Sequence, residues 1–312
     1  MTVGSLDPQA LRQRLAGPGL QIDLGPMVTR VRSTLPEFAA LFPLLYGDWP
    51  LAPADTFTDF TCELRPTLSL RHAPHRRVLC LIDGQPAFAP QGRGMCGLLF
   101  EWALNWSLAN HGLGHLMFHA AVVAHGDDAL ILPAPSGSGK STLAAALVAT
   151  GRWRLLSDEF AVLGVEDGLL HPLPRPVSLK NDMPRAIAAL APDARFAPTV
   201  PTAHKGPITL MRPPAASVAA RARPARPRWL VTPHYTPEGD TLLHPQSRGH
   251  AMMGILEQCF EWGRRGRRDF DLVADLVEAV TPHTLAHADL GRAVAVLDGL
   301  ASSSATAAEA AA

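Results

Sequence analysis

Apolar and polar residues alternate in short runs through the first third of the chain. Leu20, Ile22 and Leu24 share one face of an extended segment, as do Phe60, Cys62 and Leu64. That period of two marks half-buried strands. Residues 78–82 form a third run, which meets Asp83-Gly84, a turn signal with room for a short strand after it. The spacing predicts a short helix over 37–46 and a longer one over 95–110, stopped by Gly112. Trp102 and Trp106, four apart, share a face of the longer helix and are expected in the core. Residues 1–115 thus read as an N-terminal β-rich α+β module, with no motif that names a ligand.

The pattern then changes. Residues 116–124 and 129–132 are nearly continuous apolar runs joined by His125-Gly-Asp-Asp128. Parallel strands need a crossover of about a dozen residues, so this connection predicts an antiparallel hairpin and a mixed sheet. A helical run over 143–148 follows, then Gly151 and a strand over 153–157. Residues 160–165 and 169–173 suggest a second hairpin around Glu166-Asp-Gly168. The Pro/Arg-rich stretch 221–228 is expected as a solvated loop, and 250–262, 270–280 and 289–300 have helical spacing. The Ala/Ser run 301–312 is expected to be frayed or disordered. The chain therefore divides into a module over 1–115, a domain over 116–300 and a tail.

Composition narrows the function classes. The 28 basic and 28 acidic side chains balance, which argues against nucleic acid or an anionic membrane as the main partner. Four scattered cysteines, with no metal-ligand spacing, read as reduced thiols. The first residues lack a basic and apolar leader pattern. The most apolar helix candidate, 95–108, contains Glu101 and Asn105 and is too short for a bilayer. A cytoplasmic location is expected.

The chemistry concentrates in Ala134-Pro-Ser-Gly-Ser-Gly-Lys-Ser-Thr142. A strand, a loop of small residues, Lys-Ser and then a helix is the build of a P-loop, although Ala134 stands where the pattern has its first Gly. Ser136, Gly137, Ser138, Gly139, Lys140, Ser141 and Thr142 are the predicted nucleotide-binding residues. Lys140 can reach the β- and γ-phosphates of ATP, and Ser141 has the position of a Mg²⁺ ligand. The chain has only three lysines among its 28 basic residues, which makes one in this slot informative. Asp158-Glu159 ends a strand candidate 18 residues later, which predicts carboxylates at the phosphate end of the strand beside the loop. Asp158 is the favoured general base. His119, near the start of the strand paired with the loop's strand, is a third candidate.

His119-Ala-Ala-Val-Val, Ser136-Gly-Ser-Gly-Lys-Ser and Leu156-Ser-Asp-Glu-Phe160, in this order, resemble the catalytic domain of HPr kinase/phosphorylase. The branch called HprK-related kinase A is the most similar, a likeness that extends to 229–235 and 257–262. The resemblance implies an α/β (α+β) P-loop kinase core of the HPr kinase/PEP carboxykinase type. It implies ATP and Mg²⁺ as cofactors, transfer to a hydroxyl such as a protein or peptide Ser, and leaves a homo-oligomer open. Lys140 would bind phosphate, Asp158 would be the base, His119 would assist, and Ser141 with Glu159 would hold the metal. Three departures stand out. Ala120 follows the His where the family has Gly, Glu159 replaces a second Asp, and the family's later Glu-Ile-Arg-Gly-type segment has no counterpart. Arg175 or Lys180 could supply phosphate contacts instead. A small-molecule kinase and a nucleotide-binding regulatory module are the alternative readings.

Overall fold

The computed structural model describes residues 1–53, 55–67, 77–111, 114–135, 137–202, 206–260 and 262–309. Gly112, expected to stop the long helix, and Ser136 lie outside them. The elements run α1 (Pro8–Ala16), β1 (Leu20–Asp23), β2 (Val28–Ser33), α2 (Pro36–Tyr46), β3 (Phe60–Thr67), β4 (Arg77–Ile82), β5 (Gln85–Pro86), β6 (Gln91–Gly92) and α3 (Cys96–His111). Next come β7 (His115–Phe118), β8 (Ala120–His125), β9 (Asp128–Pro133), α4 (Lys140–Ala149), β10 (Arg154–Ser157), β11 (Ala161–Gly164), β12 (Val177–Lys180), α5 (Met183–Leu190), β13 (Val200–Thr202) and β14 (Gly206–Met211). The chain ends with α6 (Ala215–Ala219), β15 (Arg226–Tyr235), β16 (Leu242–Pro245), α7 (Arg248–Leu256), α8 (Arg267–Ala279), β17 (Thr281–His287) and α9 (Leu290–Glu309). The class is mixed α and β with mixed sheets.

Two compact units form. The first comprises Met1–Leu113, Arg175–Pro184 and Ala194–Ala222. Its main sheet has the order β1-β2-β3-β4-β5, with β6 also on β4. Asp83 and Gly84 both take positive φ in the tight β4–β5 turn, the backbone that Asp-Gly favours. Phe38, Phe42, Tyr46 and Phe100 form an aromatic cluster between α2 and α3. Trp102 is only half-buried, edge-on to Phe88, and Trp106 is 46% exposed, so neither is the core residue its spacing suggests. The sequence assigns 175–184 and 194–222 to the second domain. They cluster instead with the first unit, where β12, β14 and β13 make a small antiparallel sheet. Ion pairs of Arg175 with Glu101, Arg212 with Asp48 and Arg221 with Asp23 hold these segments there.

The second unit comprises Gly114–Pro174, Arg185–Asp193 and Arg223–Ala312. Its sheet has the order β10-β8-β9-β15-β17-β16. The β8–β9 hairpin is antiparallel, β9-β15-β17 run parallel, and β16 closes the far edge antiparallel. Every residue of β8 but His125 is buried, as expected of a strand covered on both faces. Ala120, Val122 and Ala124 share a core with Ala251 and Ile255 of α7 and Val273, Leu276 and Val277 of α8. Helices α4 and α9 pack against each other, α4 on β8 and α9 on β17.

Several sequence expectations need correcting. The apolar run 116–124 is two strands, because the chain leaves the large sheet at His119 and β7 pairs with β11. The second hairpin is present but short: Leu170 bridges Leu163 antiparallel, the Gly164 N–H donates to the Leu169 carbonyl at 2.9 Å and the His171 N–H to the Val162 carbonyl at 2.8 Å, and Pro172 cannot donate to a longer ladder. Arg226–Arg228 start β15 rather than a loop. Helix α7 ends at Leu256, short of Trp262. Helix α9 runs to Glu309, into the Ala-rich run expected to be frayed or disordered; alanine has the highest helix propensity. Among the described residues no helix is long and apolar enough to cross a membrane.

Candidate functional site

Strand β9 delivers the loop that follows it. Its residues from Ala129 to Pro133 are all buried, and α4 starts at Lys140. Gly137 and Gly139 have φ of 97° and 91°, the left-handed region that favours glycine. A Cβ on Gly137 would meet nothing within 4 Å, so backbone conformation rather than crowding selects glycine there. Ala134 is not among the positive-φ residues, which explains how an alanine fits at the first position of the motif. Gly139 caps α4, and its carbonyl accepts the Leu143 N–H at 2.9 Å. The first turn of α4 presents N–H groups that no intrahelical carbonyl reaches, with the positive end of the helix dipole. Lys140 is buried, while Ser141 and Thr142 are half-buried and Ser138 is half-buried with Gly139.

Register places the other candidates. Ala120 is opposite Pro133, so His119 leaves β8 beside Ala134, where the loop begins. Val122 is opposite Ile131 on one side and Ser157 on the other. Strands β9 and β10 therefore run in the same direction, and Asp158 leaves the sheet at the edge where the loop does. The sequence places Asp158 on the strand adjoining the loop's strand. In fact β8 lies between them, because the hairpin occupies that side of β9 and β15 takes the other. Two strand spacings separate β9 from β10, about 10 Å. Asp158 is buried, 4% exposed. The Ser157 hydroxyl donates to the Phe160 carbonyl, which fixes the turn carrying Asp158-Glu159.

His119 and Glu159 are in contact. The imidazole Nδ1 is 2.9 Å from the Glu159 carbonyl oxygen and 3.4 Å from its carboxylate. The His119 N–H donates to the Gln258 carbonyl at 2.8 Å, and Phe260 covers both His119 and Phe160. Segment 258–260 thus roofs this side of the edge, which the helical spacing of 250–262 gave no reason to expect. On the other side of β9, Tyr235 and His287 end β15 and β17. Neither was given a role from sequence.

Among the described residues no three His, Cys, Asp or Glu side chains gather as a metal-binding group. Among the described residues, the oxygen donors at this edge include the Ser138, Ser141 and Thr142 hydroxyls and the carboxylates at 158–159. A donor set of that kind suits Mg²⁺, which commonly takes one or two protein oxygens and completes its shell with phosphates and water. Arg175 is committed elsewhere: its guanidinium pairs with Glu101 at 3.1 Å and with Asn105. Comparison with protein-family models and with curated proteins yields no match to this chain.

Proposed function

We propose that the second unit is a phosphotransferase whose Gly/Ser loop binds a nucleoside triphosphate at the C-terminal edge of a mixed sheet. More particularly, it is an ATP-dependent kinase of the HPr kinase/phosphorylase-like type, in the manner of the HprK-related kinase A branch, acting on a hydroxyl such as a protein or peptide Ser. The observation that supports this most directly is the common edge. A left-handed two-glycine loop opening α4, His119 and Asp158-Glu159 all leave one sheet at one end.

Each residue then has a task. Backbone N–H groups from Gly137 to Thr142 cradle the phosphate chain, and Lys140 offsets charge on the transferring group. Asp158 accepts the proton of the attacking hydroxyl. Ser141 and Glu159 would hold Mg²⁺, which supplies charge neutralisation across the β- and γ-phosphates. His119, tethered to Glu159, keeps that carboxylate oriented. Burial of Lys140 and Asp158 strengthens their electrostatic action by excluding water.

The test is γ-labelled ATP incubated with cell-lysate proteins and, separately, with pooled metabolites. Label should enter a protein with wild type and not with Lys140→Met. Asp158→Asn should still bind ATP but not transfer. Label in a metabolite alone would replace the protein acceptor. Equal transfer by Asp158→Asn and wild type would remove the base assignment.

A further inference from the structure

A polar side chain beside the loop remains unexplained by these roles. His287 is the last residue of β17 and is 4% exposed. Neither Nδ1 nor Nε2 has a hydrogen-bond partner among the described residues. Its ring packs edge-on against Tyr235, with centroids 5.8 Å apart, and the two residues are direct partners in the β15–β17 ladder. A Cβ placed on Gly139 would lie 3.8 Å from His287 Nε2 and 3.9 Å from Cε1. The imidazole therefore rests against the backbone at the start of α4.

Burying a polar group with no partner is costly, and proteins rarely do so without a ligand or water to complete it. The loop and the helix start offer several other donors: helix N–H groups, the Lys140 ammonium and the Ser141 and Thr142 hydroxyls. An additional imidazole N–H matches an anion. Burial also holds the ring's pKa below its ordinary value, which favours a neutral ring with one N–H to give. Strands β9, β15 and β17 are parallel and end at one edge, where ligands of such sheets bind. From β17, His287 approaches the loop from the side of β9 opposite to His119.

We propose that His287 donates a hydrogen bond to a phosphate oxygen of the polyphosphate held by the loop, with Tyr235 fixing its ring. This rests on reading residues 137–142 as a polyphosphate cradle, and it assigns a ligand contact that the family resemblance did not imply.

The experiment is calorimetric titration of the full chain with MgATP and with inorganic pyrophosphate, which has no base or ribose. His287→Phe keeps a ring against Tyr235 and loses both nitrogens; His287→Gln restores an N–H donor. His287→Phe should weaken both probes by about tenfold or more without lowering the melting temperature, and His287→Gln should recover part of the loss. If His287→Phe is unstable, His287→Leu serves in its place. In imidazole ¹⁵N spectra, the signal missing from the His287 variant should move on adding pyrophosphate to wild type. Lys140→Met separates the two ideas. Pyrophosphate binding weakened by Lys140→Met but unchanged by His287→Phe would overturn the His287 assignment alone. Loss of ATP affinity with pyrophosphate unaffected would overturn it too, by moving the contact to base or ribose. A wild type that binds neither probe would overturn the cradle and the assignment together.

Discussion

The Nδ1 of His119 lies 2.9 Å from the Glu159 carbonyl oxygen, one residue beyond Asp158. A carbonyl only accepts, so Nδ1 carries the proton and a neutral ring has its lone pair at Nε2. The contact ties the residue beside the loop's first position to the turn bearing the carboxylates. In the proposed reaction, His119→Asn keeps a donor near Nδ1 and removes Nε2, whereas His119→Ala removes both. Turnover should fall by about 10²-fold or more in His119→Ala, with MgATP affinity within about twofold of wild type. His119→Asn separates the tether from Nε2: near-normal turnover means that the tether is the role. Unchanged turnover in His119→Ala would exclude both.

Gly137 and Gly139 give a second prediction. Alanine at either position must adopt a left-handed backbone, costing about 1–2 kcal/mol. Steric crowding adds little, since the new Cβ meets nothing within 4 Å at Gly137 and lies 3.8 Å from His287 at Gly139. Urea unfolding should therefore show similar losses for the two variants. Nucleotide affinity should fall in both as the N–H groups turn away. A loss below about 0.5 kcal/mol at both sites would mean that the loop relaxes to negative φ.

Much of this arrangement was legible in the chain. The period of two in β1 and β3 and the four-residue link His125–Asp128 gave the strands and the antiparallel hairpin. The break at His119 was hidden because β7 and β8 are both buried, so their apolar run carries no mark of two different sheets. Trp106 was misplaced because α3 is apolar over most of its surface, and helical spacing then does not select a face. The position of β10 one strand further out depends on β15 taking the other side of β9, a long-range choice with no local signal. His287 was missed for the same reason: only the folded sheet brings β17 to the loop.

The first unit holds a buried triad whose energetics can be separated. Glu101, 7% exposed, accepts from the Tyr46 hydroxyl at 2.5 Å and pairs with Arg175, 5% exposed, at 3.1 Å. Burial and the neighbouring Glu101 carboxylate raise the Tyr46 pKa well above its ordinary value, so the phenol remains a donor. Glu101→Ala leaves the buried guanidinium without its counter-charge, Asn105 remaining as a neutral partner, and should cost about 3–5 kcal/mol in urea unfolding. Replacing the pair together, as Glu101→Leu with Arg175→Met, should restore much of that. A double variant as unstable as Glu101→Ala would show that packing, not the uncompensated charge, sets the loss.

His115 gives the chain a predicted acid sensitivity. Its pKa is lowered from 6.5 to about 4, first by burial and then by the charge of His171, with Arg265 adding to the shift and Asp167 opposing it. The rings of His115 and His171 are 4.9 Å apart, and His171 is held by Asp167 at 3.0 Å. The unfolded chain takes up a proton near the ordinary imidazole value, whereas the folded site resists until about pH 4. Stability from this site is thus complete above pH 6.5 and declines as the pH falls toward 4, by about 2 kcal/mol between pH 7 and pH 5. His287, also lowered by burial, contributes a slope of the same sign, so the variant rather than wild type isolates His115. Urea unfolding of His115→Phe at pH 7 and pH 5 should show a smaller acid loss than wild type, while the His287 part persists. Identical slopes for the two proteins would mean that His115 titrates alike in the folded and unfolded chains.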